Sequence, residues 1–252
     1  MTLARVRDRI VACRRCPELR RYCAEIARVR KREFAHDIYW GKPVPSIGDS
    51  DARILIVGLA PAAHGGNRTG RMFTGDGSAA WLAPALYQAG LATQPTSERR
   101  DDGFALIGAF MTAALRCAPP QNKPTKKQLA ACADHMRAEL DLLPEVRVVV
   151  GLGKIGFDIA YDRLRERGYA TQSGRRPRFA HGAEYVLAAK GKRDITLLGS
   201  YHPGRQNTNT GRLTLPMLRS VFKRAHALAA NDSIVRTIPS RRRASAARVQ
   251  PL

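Results

Sequence analysis

The chain has 252 residues, 44% hydrophobic and 25% charged, the composition of a folded protein with one substantial core, which excludes intrinsic disorder for its bulk. No run approaches the roughly 18 consecutive apolar residues of a membrane span, and the arginine-rich N-terminus lacks an apolar signal region and a small-residue cleavage site, so a cytosolic location is expected. Lys and Arg number 43 against 21 Asp and Glu, a formal charge of +22, which points to a polyanion, either nucleic acid or an anionic membrane surface.

Leu3, Val6 and Ile10, then Leu19, Tyr22, Ile26 and Val29, recur at helical spacing among many arginines, predicting two basic amphipathic helices joined at Cys13-Arg-Arg-Cys16-Pro17. His36 to Asp51, with Gly41, Pro43, Pro45 and Gly48, reads as a loop into the core. Arg53 to Leu59 is short, β-branched and apolar, the pattern of a strand buried on both faces. A helix follows over Ala79 to Ala89, then a strand over Ala105 to Ala114, a helix over Lys126 to Leu143 and a strand over Val146 to Val150. Gly153 to Arg167 is helical, Tyr185 to Ala189 a short edge strand, Ile195 to Ser200 a buried strand, and Leu213 to Ala229 a closing helix that tolerates Pro216 near its first turn. Strands alternating with helices predict a three-layer α/β/α sandwich with a mainly parallel sheet, whose ligands sit beyond the carboxyl ends of the strands. Arg236 to Leu252, containing Ser240-Arg-Arg-Arg243, has no apolar period and is expected to be a disordered basic tail.

Three polar, Gly/Pro-punctuated segments each follow a buried strand, so the sheet would gather them at one edge: Gly58 to Asp76, Cys117 to Thr125 and His202 to Arg212. In the first, small residues let backbone N–H groups approach a phosphate or a planar base. The segment lacks the ending of a P-loop and the spacing of a dinucleotide fingerprint. Phe73 offers a stacking face and Asp76 a carboxylate; the alternative is a core Phe73 and an Asp76 that caps the helix at Ala79. In the second, Asn122 between prolines is either a turn former or an amide presented to a base edge. In the third, His202 opens a loop of amides, hydroxyls and arginines in which Arg205, Thr208 and Thr210 could reach phosphates and Gln206 or Asn207 could enter a groove.

The cysteines are five, an odd set, and a non-secreted chain keeps them as thiols available to metal. Cys13 and Cys16 form one tight pair, while Cys117 and Cys132 are spaced more widely than the knuckles of a zinc site, which favours an iron-sulfur cluster. Cys23 reads as a buried thiol, and scattered free cysteines are the alternative for all five.

The motifs GLAPAAHGGNRTGRMFTGD (Gly58 to Asp76), CAPPQNKPT (Cys117 to Thr125) and YHPGRQNTNTGRLT (Tyr201 to Thr214) together resemble the family 5, or class b, uracil-DNA glycosylases of bacteria and archaea. The resemblance spans roughly residues 5 to 230. It implies a four-stranded parallel sheet flanked by helices, one glycosylase domain over residues 1–235 with the tail 236–252 outside it, and a 4Fe-4S cluster held by Cys13, Cys16, Cys117 and Cys132. It further implies hydrolysis of the N-glycosidic bond of uracil and other damaged bases in DNA, double- or single-stranded, leaving an abasic site. By motif position Asp76 becomes the catalytic carboxylate, with His202 and Asn122 catalytic or base-contacting. Gly58, Ala60, Ala62, Phe73, Asn122 and His202 line the base, Phe73 stacking on it, and Arg205, Gln206, Asn207, Thr208 and Arg212 meet DNA. Gly204 departs from the pattern, since Ser often follows the His-Pro, and removes a hydroxyl that could bind a phosphate.

No lysine occupies a nucleophile position, so a monofunctional enzyme is expected. The first loop offers Ala62, Ala63, Gly65 and Gly66 and no tyrosine to exclude a 5-methyl group, which predicts activity beyond uracil. A nucleoid-associated monomer with no membrane partner is expected. Two other classes fit part of the pattern. A non-catalytic, metal-stabilised nucleic-acid-binding protein would not need Phe73-x-x-Asp76 beside His202 and Asn122, and a nucleotide phosphohydrolase would want a carboxylate cluster where these loops offer only Asp76.

Overall fold

The computed structural model describes residues 1–231; the tail expected from Arg236 to Leu252 lies outside them. Helices α1 (Leu3–Val11) and α2 (Pro17–Val29) flank the Cys13–Cys16 turn, with Pro17 in the first turn of α2, where its missing N–H costs nothing. Then come β1 (Ile47–Gly48), β2 (Ile54–Gly58), α3 (Gly66–Thr69), α4 (Ala79–Gln88), β3 (Ala109–Ala113), α5 (Lys126–Leu140), β4 (Val148–Leu152) and α6 (Gly153–Glu166). Strands β5 (Ala170–Thr171), β6 (Glu184–Ala188) and β7 (Ile195–Ser200), and helices α7 (Arg205–Thr208) and α8 (Leu215–Ala230), complete the order.

The sheet runs β1-β3-β2-β4-β7-β6-β5. Its centre is the expected set of four parallel strands, β3, β2, β4 and β7. Three antiparallel additions extend it: β1 beside β3, and β6 then β5 beyond β7. The predicted edge strand is therefore second from the edge.

Alternation along the central strands builds the three layers. Ile54 and Ile56 of β2 face one core with Leu82 and Leu86 of α4 and Phe222 and Ala225 of α8. Leu55 and Val57 face the other, with Met136 and Leu140 of α5 and Phe157, Tyr161 and Leu164 of α6. Every residue of β2, β3, β4 and β7 is buried, which is why those segments read as unbroken apolar runs. Outside the sandwich, Val6 and Ile10 of α1 pack on Ala138 of α5, and Leu19 and Cys23 of α2 pack on Leu115 and Ala118. Among the described residues no helix is long and apolar enough to cross a membrane.

Because the four central strands are parallel, Gly58, Ala113, Leu152 and Ser200 end at one edge. The loops that leave β2, β3 and β7 therefore rise side by side.

Candidate active site

Two buried arginines set the shape of the loop after β2. The Arg71 guanidinium, 5% exposed, donates to Thr74 Oγ1 (2.9 Å), Ser97 Oγ (3.0 Å) and Asp102 Oδ1 (2.7 Å). Burial would raise the Asp102 carboxyl, but hydrogen bonds from the Phe104 amide, Arg71 and the Arg99 and Glu98 amides outweigh it and hold the group at about 2. Arg68 donates to the His64 carbonyl and the Gly75 carbonyl at 2.8 Å each and pairs with Asp37. A charge buried with this many acceptors is a rigid clamp. It fixes the residue immediately before Asp76.

Asp76 uses its two oxygens differently. Oδ1 accepts from the Ser78 and Ala79 amides, both at 2.9 Å, at the N-terminus of α4, where a carboxylate is favoured. Oδ2 meets no donor among the described residues, and a Cβ placed on Gly65 would lie 2.1 Å from it. Only glycine leaves that oxygen its space. Burial pushes the carboxyl above the usual range, against the Ala79 and Ser78 amides and the charges of Arg68 and Arg205. The capping role expected as one alternative for Asp76 is thus seen directly, through Oδ1, while Oδ2 faces Gly65 of the loop.

Phe73 sits at φ +46°, a left-handed backbone that costs a bulky residue strain and recurs at functional sites. The Cε2 and Cζ atoms of its ring abut Gly58, where a Cβ would approach within 2.8 Å, and the ring centroid is 6.1 Å from that of His202 at 38°. Burial holds the His202 imidazole down at about 4, so near neutral pH it offers a hydrogen bond, not a charge.

The loop after β7 is braced from within. Asn207 Nδ2 donates to the His202 carbonyl at 2.9 Å and Thr208 Oγ1 to the Gly204 carbonyl at 3.3 Å. A Cβ on Gly204 would come within 2.9 Å of His202 Nδ1, so glycine here leaves the imidazole edge clear. Arg205, Gln206 and Arg212 are exposed. Arg205 lies over Gly77 and Arg212 over the Tyr201 ring at 4.6 Å.

Asn122 is exposed and lies with Gln121 in left-handed backbone, φ +57° and +53°. Among the described residues no hydrogen bond or ring contact joins it to Asp76, Phe73 or His202.

Cys16, Cys23, Cys117 and Cys132 share one small apolar cluster with Ala60 and Ala63 of the first loop, and Cys13 is close enough to influence Cys16 and Cys132. Hydrogen bonding to Cys23 and burial push the Cys117 thiol up, and burial pushes Cys132 up to about 11. Among the described residues no three His, Cys, Asp or Glu side chains form a ready metal cage. The donor chemistry nevertheless suits iron and sulfur. The set is all thiol: burial pushes Cys16 up as well, with Glu18 and Cys13 adding to it, and Arg15 and Lys127 at Cys16, Arg20 at Cys117 and Arg116 at Cys132 only partly offset the rise. Arg116 is itself held by a buried pair with Glu139 (2.5 Å) and by Thr112 Oγ1 (2.6 Å).

The profile of the uracil DNA glycosylase superfamily matches residues 45–226, which takes in all three loops. The chain is 50% identical over 222 residues to the type-5 uracil-DNA glycosylase of Thermus thermophilus, covering 87% of this chain and 95% of that protein. It is 47% identical to the type-5 uracil-DNA glycosylase of Mycobacterium leprae (87% and 93% covered) and 44% identical to that of Pyrobaculum aerophilum (87% and 90%). The chain belongs to the uracil DNA glycosylase superfamily, in its type-5 branch. In this type-5 member the fold brings Gly58, Phe73, Asp76 and His202 together, joins Arg205 to them, and leaves Asn122 on an exposed turn. Tyr39, His64, Arg68 and Arg71 were missed by sequence reasoning. Tyr39 Oη meets His64 Nδ1 at 3.0 Å, yet nothing in its local sequence points 25 residues ahead.

Proposed function

We propose that the chain excises uracil from DNA by hydrolysis, with Asp76 as the catalytic carboxylate. The observation that carries this is Asp76 Oδ2, without a donor among the described residues and turned toward Gly65 while Oδ1 is locked to α4, on the same loop as Phe73, whose ring is 6.1 Å from that of His202. A base must leave the duplex before its glycosidic bond can be reached. The extruded uracil stacks on Phe73 against a wall made by Gly58, Ala60 and Ala62. As the C1′–N1 bond breaks, its electron pair leaves with the base and positive charge grows on the deoxyribose. Asp76 stabilises that charge and accepts the proton of the water whose oxygen bonds to C1′. His202 donates a hydrogen bond to the base carbonyl, and the raised carboxyl of Asp76 suits a proton acceptor. The proton taken by Asp76 passes through solvent to the departed uracil anion, which restores the carboxylate and leaves free uracil and an abasic site as products.

Arg205, Gln206 and Arg212 face DNA, with Asn207 and Thr208 shaping their loop and Asn122 contributing an amide once DNA is bound. Cys13, Cys16, Cys117 and Cys132 would hold a 4Fe-4S cluster, whose iron–thiolate bonds would tie the α1–α2 turn to α5 and the loop after β3. The enzyme works as one domain and a monomer on duplex and single-stranded DNA in the nucleoid. Small wall residues leave room for bases other than uracil, because one added methyl in such a site is worth only about 1–3 kcal/mol.

A panel of oligonucleotides, each with one lesion, assayed under single turnover with alkali cleavage of the product, tests this. Uracil release must be seen. Release of uracil alone, with hypoxanthine and bulky pyrimidines untouched, would contradict the open wall.

A further inference from the structure

Ile38 is 93% exposed, beyond Val29 and Met1 at 62% each. Single exposed apolar residues are common on protein surfaces. The mounting of this one sets it apart. On one side of it Asp37 pairs with Arg68 Nη1 at 2.5 Å. On the other, buried Tyr39 reaches His64, and the Trp40 amide donates to the Arg68 carbonyl at 2.8 Å. The Arg68 guanidinium also covers the Phe34 ring at 3.9 Å. Arg68 is the clamp on Gly75, so the segment that thrusts Ile38 outward is fastened to the residue that positions Asp76.

The segment is bonded to the first loop at two points, Tyr39 to His64 and Asp37 to Arg68. Lys31, then Arg205 and Arg68, hold the Glu33 carboxyl below the usual range, and the same Arg205 lies over Gly77 next to Asp76. Exposed Arg30, Lys31 and Arg32 make the strip basic, a footprint for phosphates. An isoleucine has nothing to offer a phosphate. Stiff at χ1 and unable to fold back, on a strip that meets a duplex its place is between bases.

We infer that Ile38 is a DNA wedge, entering the base stack beside the site and propping open the step next to the extruded nucleotide. This rests on the glycosylase reading above. The test is Ile38→Ala under single turnover, on a uracil·adenine duplex and on the same strand alone, with 2-aminopurine beside the uracil to report unstacking. Duplex excision should slow by about tenfold or more and the fluorescence rise should shrink, with a much smaller effect on the single strand, because the wedge offsets part of the unstacking cost that only a duplex imposes. Ile38→Leu should restore both, and Tm should match the wild type. Unchanged duplex rate and fluorescence, or equal loss on both substrates, would overturn the wedge. Wild-type protein inactive on both strands would overturn the glycosylase reading instead.

Discussion

Replacing Asp76 by Asn separates two jobs of one carboxylate. An asparagine Oδ1 can still accept from the Ser78 and Ala79 amides, 2.9 Å away in the wild type, so the cap on α4 survives. What disappears is the charge on the unpaired Oδ2. Unit charges about 4 Å apart at an effective dielectric of about 20 attract by about 4 kcal/mol. Water at the mouth weakens this, so a loss of about 3 kcal/mol, or roughly 10²-fold in the single-turnover rate, is the least expected. Stability should move the other way. Burial raises the folded-state pKa of Asp76 above its ordinary 3.8. Keeping the carboxylate charged therefore costs folding free energy at neutral pH, and the cost vanishes as pH falls below the unfolded-state value. Asp76→Asn should melt higher than the wild type near pH 7, and the two should converge toward about pH 4. Single-turnover excision and calorimetry between about pH 4 and 8 read both quantities. A rate within about tenfold of the wild type, or a lower Tm near pH 7, would refute the reasoning.

The acid limb of excision should sit above the ordinary carboxylate range, because Asp76 is raised and must be ionised, while His202, held at about 4, adds no separate limb near its free value of 6.5; a limb there that vanished in His202→Gln would contradict the neutral imidazole. Gly65→Ala places a methyl 2.1 Å from Oδ2 and should cut the rate by about tenfold or more with duplex binding retained, measured by single turnover and fluorescence anisotropy. Cys132→Ser should abolish bound iron and inorganic sulfide in protein purified without oxygen, while Cys23→Ser should keep both; zinc alone in the wild type would reject the cluster.

The fold was legible where burial imposes a pattern. Ile54–Gly58 and Ile195–Ser200 are buried on both faces, so their composition announces them. The two-residue strands Ile47–Gly48 and Ala170–Thr171 are too short to carry a period and exist only because a neighbour pairs with them. In the site, Phe73, Asp76 and His202 were legible because chemistry-bearing residues followed buried strands. Arg68 and Arg71 were not, since arginine is read as surface until its acceptors are seen. Asn207 and Thr208 show the converse: side chains expected to face DNA are hydrogen-bonded inside their own loop. Composition reveals that a loop is polar but not which of its groups are already paired.

The claim at the centre is that the chain hydrolyses a glycosidic bond through Asp76. The most direct measurement follows one uracil-containing duplex with wild-type protein and with Asp76→Asn, quantifying free uracil by mass spectrometry, strand integrity before and after alkali, and adduct formation with borohydride. Uracil release by the wild type, a strand that breaks only after alkali, no borohydride-trapped adduct, and little release by the variant are expected. A trapped protein–DNA adduct, or equal uracil release by both proteins, would contradict hydrolysis through Asp76.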